Sequence, residues 1–151
     1  MSAHLNWTFH SFPKLSVAQL YSILQLRAAV FVVEQNCVYQ DLDNYDEQAY
    51  HLCAWDGTTL VAYCRILPPG LVYPDASIGR VISNINYRKL GIGKQLMEKA
   101  IFHSLQTFKD QCISISAQLY LLDFYSNLGF HFIGKPYLED NIPHIKMRYT
   151  V

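Results

Sequence analysis

Val81-Ile82-Ser83-Asn84-Ile85-Asn86-Tyr87-Arg88-Lys89-Leu90-Gly91-Ile92-Gly93-Lys94 is the stretch on which the fold turns. An apolar strand runs into a short polar loop, and two glycines then open a helix. The first turn of a helix carries unpaired N–H groups and the positive end of the helix dipole. Gly91 and Gly93 remove the side chains that would hold an anion away from those groups. Arg88, Lys89 and Lys94 add three positive charges, with no acid near them in the sequence. Two glycines at the head of a helix cost it about 1 kcal/mol each. A ligand with two phosphates explains both that cost and the charge; a solvated basic loop before an ordinary helix explains neither.

Two nucleotide templates fail on this stretch. A Walker loop needs glycine where Arg88 stands, and a dinucleotide fingerprint needs a third glycine where Leu96 stands.

Elements can be read outward in both directions. After Gly91, the positions Ile92, Leu96, Met97, Ala100, Ile101, Leu105 and Phe108 form the stripe of a helix over 91–108. Cys112 to Ala117 reads as a short strand. Leu119 to Leu128 reads as a helix ended by Gly129, and Phe130 to Ile133 and Ile145 to Tyr149 as the last strands. Upstream, Ser77 to Ser83 is a central strand. Leu60 to Leu67 and Tyr50 to Trp55 pair through the turn signal Asp56-Gly57. Residues 36–49 are acidic and read as loop or short helix. Before them, Ser16-x-x-Gln19 is a capping-box pattern. It opens a helix striped by Val17, Leu20, Leu24, Ala28 and Phe31, ending near Val32-Val33. Leu5, Trp7 and Phe9 alternate as a first strand. The pattern is α/β: a mixed sheet with helices packed on it.

Composition narrows the function. The chain has 151 residues, 12 basic and 12 acidic, so its net charge is zero, and no linker divides it; one domain over residues 1–151 is expected. Charged residues make up 16%, against about 25% in ordinary globular chains. Zero net charge argues against a nucleic-acid partner. No apolar run approaches the ~20 residues that span a bilayer, and the N-terminus lacks a signal-peptide pattern, so no membrane is expected. Cys37, Cys53, Cys64 and Cys112 form neither a CxxC pair nor a Cys/His array, so they read as reduced thiols of a cytoplasmic protein, with no metal. Counted from Asp41, a calcium loop needs glycine at Asp46 and glutamate at Leu52, so the Asp41-x-Asp43 pattern is not one.

Arg88-x-x-Gly91-x-Gly93 resembles the R/Q-x-x-G-x-G/A signature of the GNAT superfamily of acetyltransferases. Phe124-Tyr125-Ser126-Asn127-Leu128-Gly129-Phe130 resembles its late FYxxxGF element, in the expected order and spacing. Arg27 to Cys37, Tyr39 to Asp43, His51-Leu52 and Glu139 to Met147 further resemble the ElaA-like branch, which extends the likeness over nearly the whole chain. Val38 replaces that branch's frequent proline, and Asn44 and Asn141 replace frequent glycines, which puts loop shape around the acceptor in question.

The resemblance implies a GNAT fold: a mixed, mostly antiparallel sheet of six or seven strands, splayed at its centre, with about four helices. It also implies acetyl-CoA as donor and a small-molecule or peptide amine as acceptor. Cofactor-binding positions would be Val81, Ile82 and Ser83 through backbone N–H groups, the loop residues Arg88, Lys89, Leu90, Gly91, Ile92, Gly93 and Lys94, and Gln118 where many members carry asparagine. Tyr125 would be the general acid on the leaving thiolate, against a plain packing role among eleven tyrosines. For the general base, Glu34 comes first, because partial burial after Val30-Phe31-Val32-Val33 would raise its pKa. His144 comes second, titrating near neutrality unaided. Asp41, Asp43 and Asp46 read as a solvated loop rather than a path for a cationic acceptor, and Arg27 either pairs with an acid or caps solvent. The superfamily's homodimers are compatible with this tyrosine-rich surface. Two alternatives are an acyltransferase related to acyl-homoserine-lactone synthases, which share the RxxVF pattern of Arg27 to Phe31, and a non-catalytic CoA-binding module.

Overall fold

The computed structural model describes residues 4–151. Seven strands form one sheet: β1 (Asn6–Ser11), β2 (Tyr50–Asp56), β3 (Thr59–Leu67), β4 (Ala76–Ser83), β5 (Cys112–Gln118), β6 (Phe130–Glu139) and β7 (Ile142–Thr150), in the order β1-β2-β3-β4-β5-β7-β6. Among the described residues three α-helices pack on it, close to the expected number of about four. They are α1 (Val17–Arg27), continued by a π-helical stretch over Ala28–Glu34, then α2 (Ile92–Phe108) and the short α3 (Leu122–Ser126). The expected helix over 119–128 is a 3-10 turn at Leu119–Leu121 leading into α3.

Alternation in β2 sorts the core into two layers. Leu52 and Ala54 join Leu96, Met97 and Ala100 of α2. Cys53 and Trp55 join Ile23 and Val30 of the α1 segment. Ser16 caps α1 as its pattern foretold: Gln19 N–H donates to Ser16 Oγ at 3.0 Å, and Ser16 N–H to Gln19 Oε1 at 2.9 Å.

The stripe expected on that helix is displaced. Its buried line is Ile23, Arg27 and Val30, while Val17 is 87% exposed and Ala28 is also exposed. An apolar-only reading steps over Arg27, whose charge hides a fully buried position. By length and composition alone, Val17–Glu34 is one helix that would pass as a membrane span, which the sequence reading had not flagged.

The last hairpin is longer than expected. Gly134-Lys135-Pro136 looks like a loop, yet β6 continues past it because the register slips between Ile133 and Tyr137, with Gly134 at φ 77°. Pro143 looks like a break, but it pairs only with Leu138 of β6 and lies beyond the end of β5, so its missing N–H costs no bond to β5.

Two irregularities open the sheet at its centre. Among the described residues β4 and β5 are the only parallel pair, in register at Ala76↔Ile113 and Ser77↔Ser114 and nowhere further. Beyond those residues they diverge. On the other side of β4, Tyr63 faces Ile82 and Arg65 faces Gly79, so β4 carries one extra residue. That β-bulge places Arg80 at φ 50°, a left-handed conformation seldom adopted by a long side chain.

Candidate functional site

The divergence of β4 and β5 leaves a cleft of about 540 Å³, within the range of small-ligand sites. Val81, Ile82 and Ser83 line one wall and Ser116 and Gln118 the other. Across the gap, Ile78–Ser83 and Ile115–Gln118 have no strand partner in each other.

The loop at the mouth is held by its own side chains. Asn84 Oδ1 accepts from Asn86 N–H at 3.0 Å, Asn84 N–H donates to Val61 O at 2.7 Å, and Tyr87 Oη donates to Asp56 Oδ2 at 2.7 Å. Lys89 (φ 67°) and Gly91 (φ 75°) are both left-handed, which turns the chain into α2. A Cβ added at Gly93 would come no nearer to other groups than 3.8 Å, at the Phe124 ring, so nothing in the protein demands glycine there. The open space above the first turn of α2 is free for a ligand. Gly93 and Arg88 line the cleft, Lys89 and Lys94 stand in solvent, and Leu90 is 47% exposed. The Ile92 side chain points into the core, so only its backbone could meet a ligand.

Sequence reading found no acid near the basic loop, but the fold brings one. Glu34, at the end of the π-helical stretch, takes both prongs of the Arg88 guanidinium at 2.7 and 2.8 Å. Arg88 also donates to Ser83 O at 3.1 Å. The burial expected of Glu34 is not found: its side chain is 39% exposed. The hydrogen bond and charge of Arg88 hold its carboxyl below the usual range, opposite to the expected upward shift. That removes the physical reason for choosing it as a base.

Tyr125 sits on α3 at the inner end of the cleft, wedged edge-on between Phe124 and Phe130 with ring centroids 5.1 and 5.9 Å away. It is 6% exposed, and burial drives its phenol well above the ordinary value, so it stays protonated. Gln118 ends β5, its Nε2 donating to Gln35 Oε1 at 3.5 Å. His144 faces Gln118 in the β5–β7 register and Tyr137 in the β6–β7 register. Its Nδ1 donates to Ile142 O at 2.7 Å, and its Nε2 stands 3.3 Å from Glu139 Oε2.

At the opposite end of the cleft, the three aspartates expected to be solvated are instead held by arginines, and Asp43, Arg65 and Arg80 line the cleft. Asp41 and Asp46 are buried, and both pair with the fully buried Arg27, at 2.9 and 2.6 Å. Arg65 joins Asp46 at 3.0 Å and also Asp43. Arg80 reaches Asp41 at 2.8 Å and Asp43 at 3.2 Å, its guanidinium flanked by the Phe31 and Tyr39 rings. Three arginines and three aspartates thus balance in one lattice. Burial pushes the Asp43 carboxyl up, but the Arg65 hydrogen bond and charge outweigh it and bring it from 3.8 to about 2. Asp46 is likewise lowered, burial being outweighed chiefly by Arg27. The one local signal for this lattice was Arg27 on the line of Ile23 and Val30. Asn44 (φ 71°) and Asn141 (φ 63°) keep the left-handed conformation a glycine would take, so those two loops keep that shape.

The family model for an acetyltransferase (GNAT) domain matches residues 17–151. Protein ElaA of Escherichia coli is 42% identical over 149 residues, covering 97% of each chain, and its crystal structure superposes with a TM-score of 0.88 over 95% of this chain and 99% of that one. A crystal structure of an acyl-CoA N-acyltransferase from Pseudomonas aeruginosa is 42% identical, with a TM-score of 0.93 over 97% of this chain and 99% of that one. A CoA-dependent acyl-homoserine lactone synthase shares the fold at 20% identity and a TM-score of 0.77, covering 99% of this chain and 83% of that one.

Proposed function

Since the chain belongs to the GNAT acetyltransferase family, we propose that it moves an acetyl group from acetyl-CoA to an amine by direct transfer in a ternary complex. The family supports an acyl-CoA-dependent acyltransferase with an amine acceptor. The choice of acetyl, and the residue roles below, are our reading.

One observation carries it: β4 and β5 part after two paired residues beside a helix that opens with Gly91 and Gly93. The groups present fit a CoA-type donor. The N–H groups at the start of α2, with Arg88, Lys89 and Lys94 near them, would hold its phosphates, leaving Arg88 to choose between those phosphates and Glu34. The facing edges of Val81–Ser83 and Gln118 suit an arm that pairs as an extra strand. An N–H of the bulged strand aimed at the thioester oxygen would steady its negative charge in the transition state, worth a few kcal/mol. Tyr125, kept protonated by burial, would give its proton to the departing thiolate. His144 takes the role of base, because its Nε2 is free of backbone bonding and Glu34 is engaged by Arg88. The free thiols Cys37, Cys53, Cys64 and Cys112 suit a reducing cytoplasm.

Isothermal titration of acetyl-CoA tests this reading. Wild type should bind in the micromolar range. Arg88→Ala/Lys89→Ala should bind at least about 10-fold more weakly, since a hydrogen bond to a charged group contributes about 1.5–3 kcal/mol. A folded wild type that does not bind removes the donor assignment and with it the roles of Tyr125 and His144. Thiol release from acetyl-, butyryl- and octanoyl-CoA then ranks the acyl groups, with acetyl expected fastest.

A further inference from the structure

His144 and Glu139 stand at the outer end of the cleft, on the two strands of the last hairpin. A carbonyl oxygen can only accept, so the 2.7 Å contact to Ile142 O fixes a proton on Nδ1 of His144. The second ring nitrogen, Nε2, is then the one with a lone pair to offer. It faces Glu139 Oε2 at 3.3 Å. With neutral imidazole, a lone pair confronts a carboxylate across that gap. A proton or an N–H donor placed between them satisfies both. The ring is clamped for this: Tyr137 stacks on it at 6.3 Å, and the Tyr137 hydroxyl is bonded to Ser116 Oγ, which reaches Glu139 Oε1 at 3.5 Å. His144 is 9% exposed at its side chain and Glu139 52%, so one partner looks into the cleft while the other touches water.

We infer that Glu139 is a further catalytic residue: with His144 it forms a seat for the acceptor's ammonium and the exit for its proton. This rests on the acyl-transfer reading above. The ammonium donates one N–H to Glu139 Oε2 and another to His144 Nε2. Nε2 takes the second proton. The freed nitrogen forms its bond to the acyl carbon, the carbon–sulfur bond breaks, the thiolate collects the Tyr125 proton, and the second proton shed by the acylated nitrogen returns to the Tyr125 phenolate. The imidazolium then passes its proton through Glu139 to solvent. The acceptor class that follows is a cationic amine whose nitrogen bears at least two hydrogens.

Tyr73, on the segment before β4, belongs to the charged and titratable surroundings: burial pushes its phenol up, and Tyr137 and Glu139 add to that. From β6 come Glu139 and Tyr137; from β5, Gln118 and Ser116, both uncharged; on β7 itself, Lys146, whose Nζ lies 4.9 Å from the Tyr73 ring centroid. Asp140 is the next acid on the hairpin, its backbone carbonyl accepting from Cys37 Sγ at 3.4 Å.

The test is an NMR titration of 1,4-diaminobutane into the full chain, at ionic strength matched with sodium chloride, with His144→Gln identifying the imidazole signal. Diaminobutane should shift the His144 signal in wild type and leave it still in Glu139→Gln. Glu139→Gln should also lower kcat about 100-fold with the acetyl-CoA Kd unchanged, and Glu139→Asp should restore part of it. No response to diaminobutane in wild type, or an equal response in Glu139→Gln, overturns the inference. Acetyl-CoA titrated into the same samples keeps the two ideas apart. A wild type that does not bind acetyl-CoA, while its Glu139-dependent response to diaminobutane persists, strikes the donor assignment and leaves the ammonium seat standing.

Discussion

The two ends of the cleft are built by opposite means. At the donor end, a single run of fourteen residues, Val81 to Lys94, supplies strand edge, loop, glycines and helix start. Its working parts are backbone N–H groups, and its charges stand in water or share one exposed fork with Glu34. At the other end, Arg27, Asp41, Asp43, Asp46, Arg65 and Arg80 arrive from α1, a loop, β3 and β4 as an ion-pair lattice, with Asp43, Arg65 and Arg80 lining the cleft. A charge lattice removed from water holds only if every partner is present. Arg80 joins the two: its ion pairs lie in the lattice, while its left-handed backbone is the bulge beside Val81.

The largest effect should fall on the lattice. Arg27→Leu leaves Asp41 and Asp46 each short of a partner and should cost about 3–5 kcal/mol in urea unfolding. Lys89→Ala at the exposed end should stay within about 0.5 kcal/mol. Equal costs would erase the contrast. Next comes chemistry at the inner end: Tyr125→Phe should lower kcat by about 100-fold, with the acetyl-CoA Kd unchanged. If kcat stays at the wild-type value, Tyr125 is packing alone.

Acid should then sort the two ends. The folded pKa of Asp43 lies below its ordinary 3.8, at about 2, and Asp46 is also depressed. Groups so depressed contribute stability above pH ~4, and it is lost as pH falls toward ~2. Thermal melts from pH 5 to 2 should show that loss, and Asp43→Asn should show less of it. The smallest effect sharpens the donor end. Glu34→Gln frees Arg88 and should change acetyl-CoA affinity by no more than about 3-fold. A kcat fall of 100-fold there would return Glu34 to the role of base.

The contrast also decides what could be read in advance. The donor end is local, so glycine spacing, the preceding strand and the helix stripe were all visible in one window. Six of the seven strands followed from alternation and turn residues within a few positions of their ends. β6 did not, because Gly134-Lys135-Pro136 carries every mark of a loop and only its pairing with β7 extends it. The lattice end was misread for a different reason. Asp41, Asp43 and Asp46 look solvated until Arg27, Arg65 and Arg80 are folded onto them, and no periodicity in the loop announces partners so distant. The Glu34–Arg88 fork, spanning 54 positions, was equally invisible. Glu139 carries no signal of its own in the sequence, and only the hairpin sets it beside His144.

That interruption in β6 also bears on how the molecule behaves in crowded solution. β6 is an outer strand, ten residues long, with Phe132 and Leu138 exposed. A straight strand of that kind is a template on which another chain can stack. The kink at Gly134, the cationic Lys135 and the donor-less Pro136 fall in its middle and divide it into two pieces too short and too bent to recruit a neighbour. The three residues that disguise the strand also remove the straight edge on which a second copy could stack.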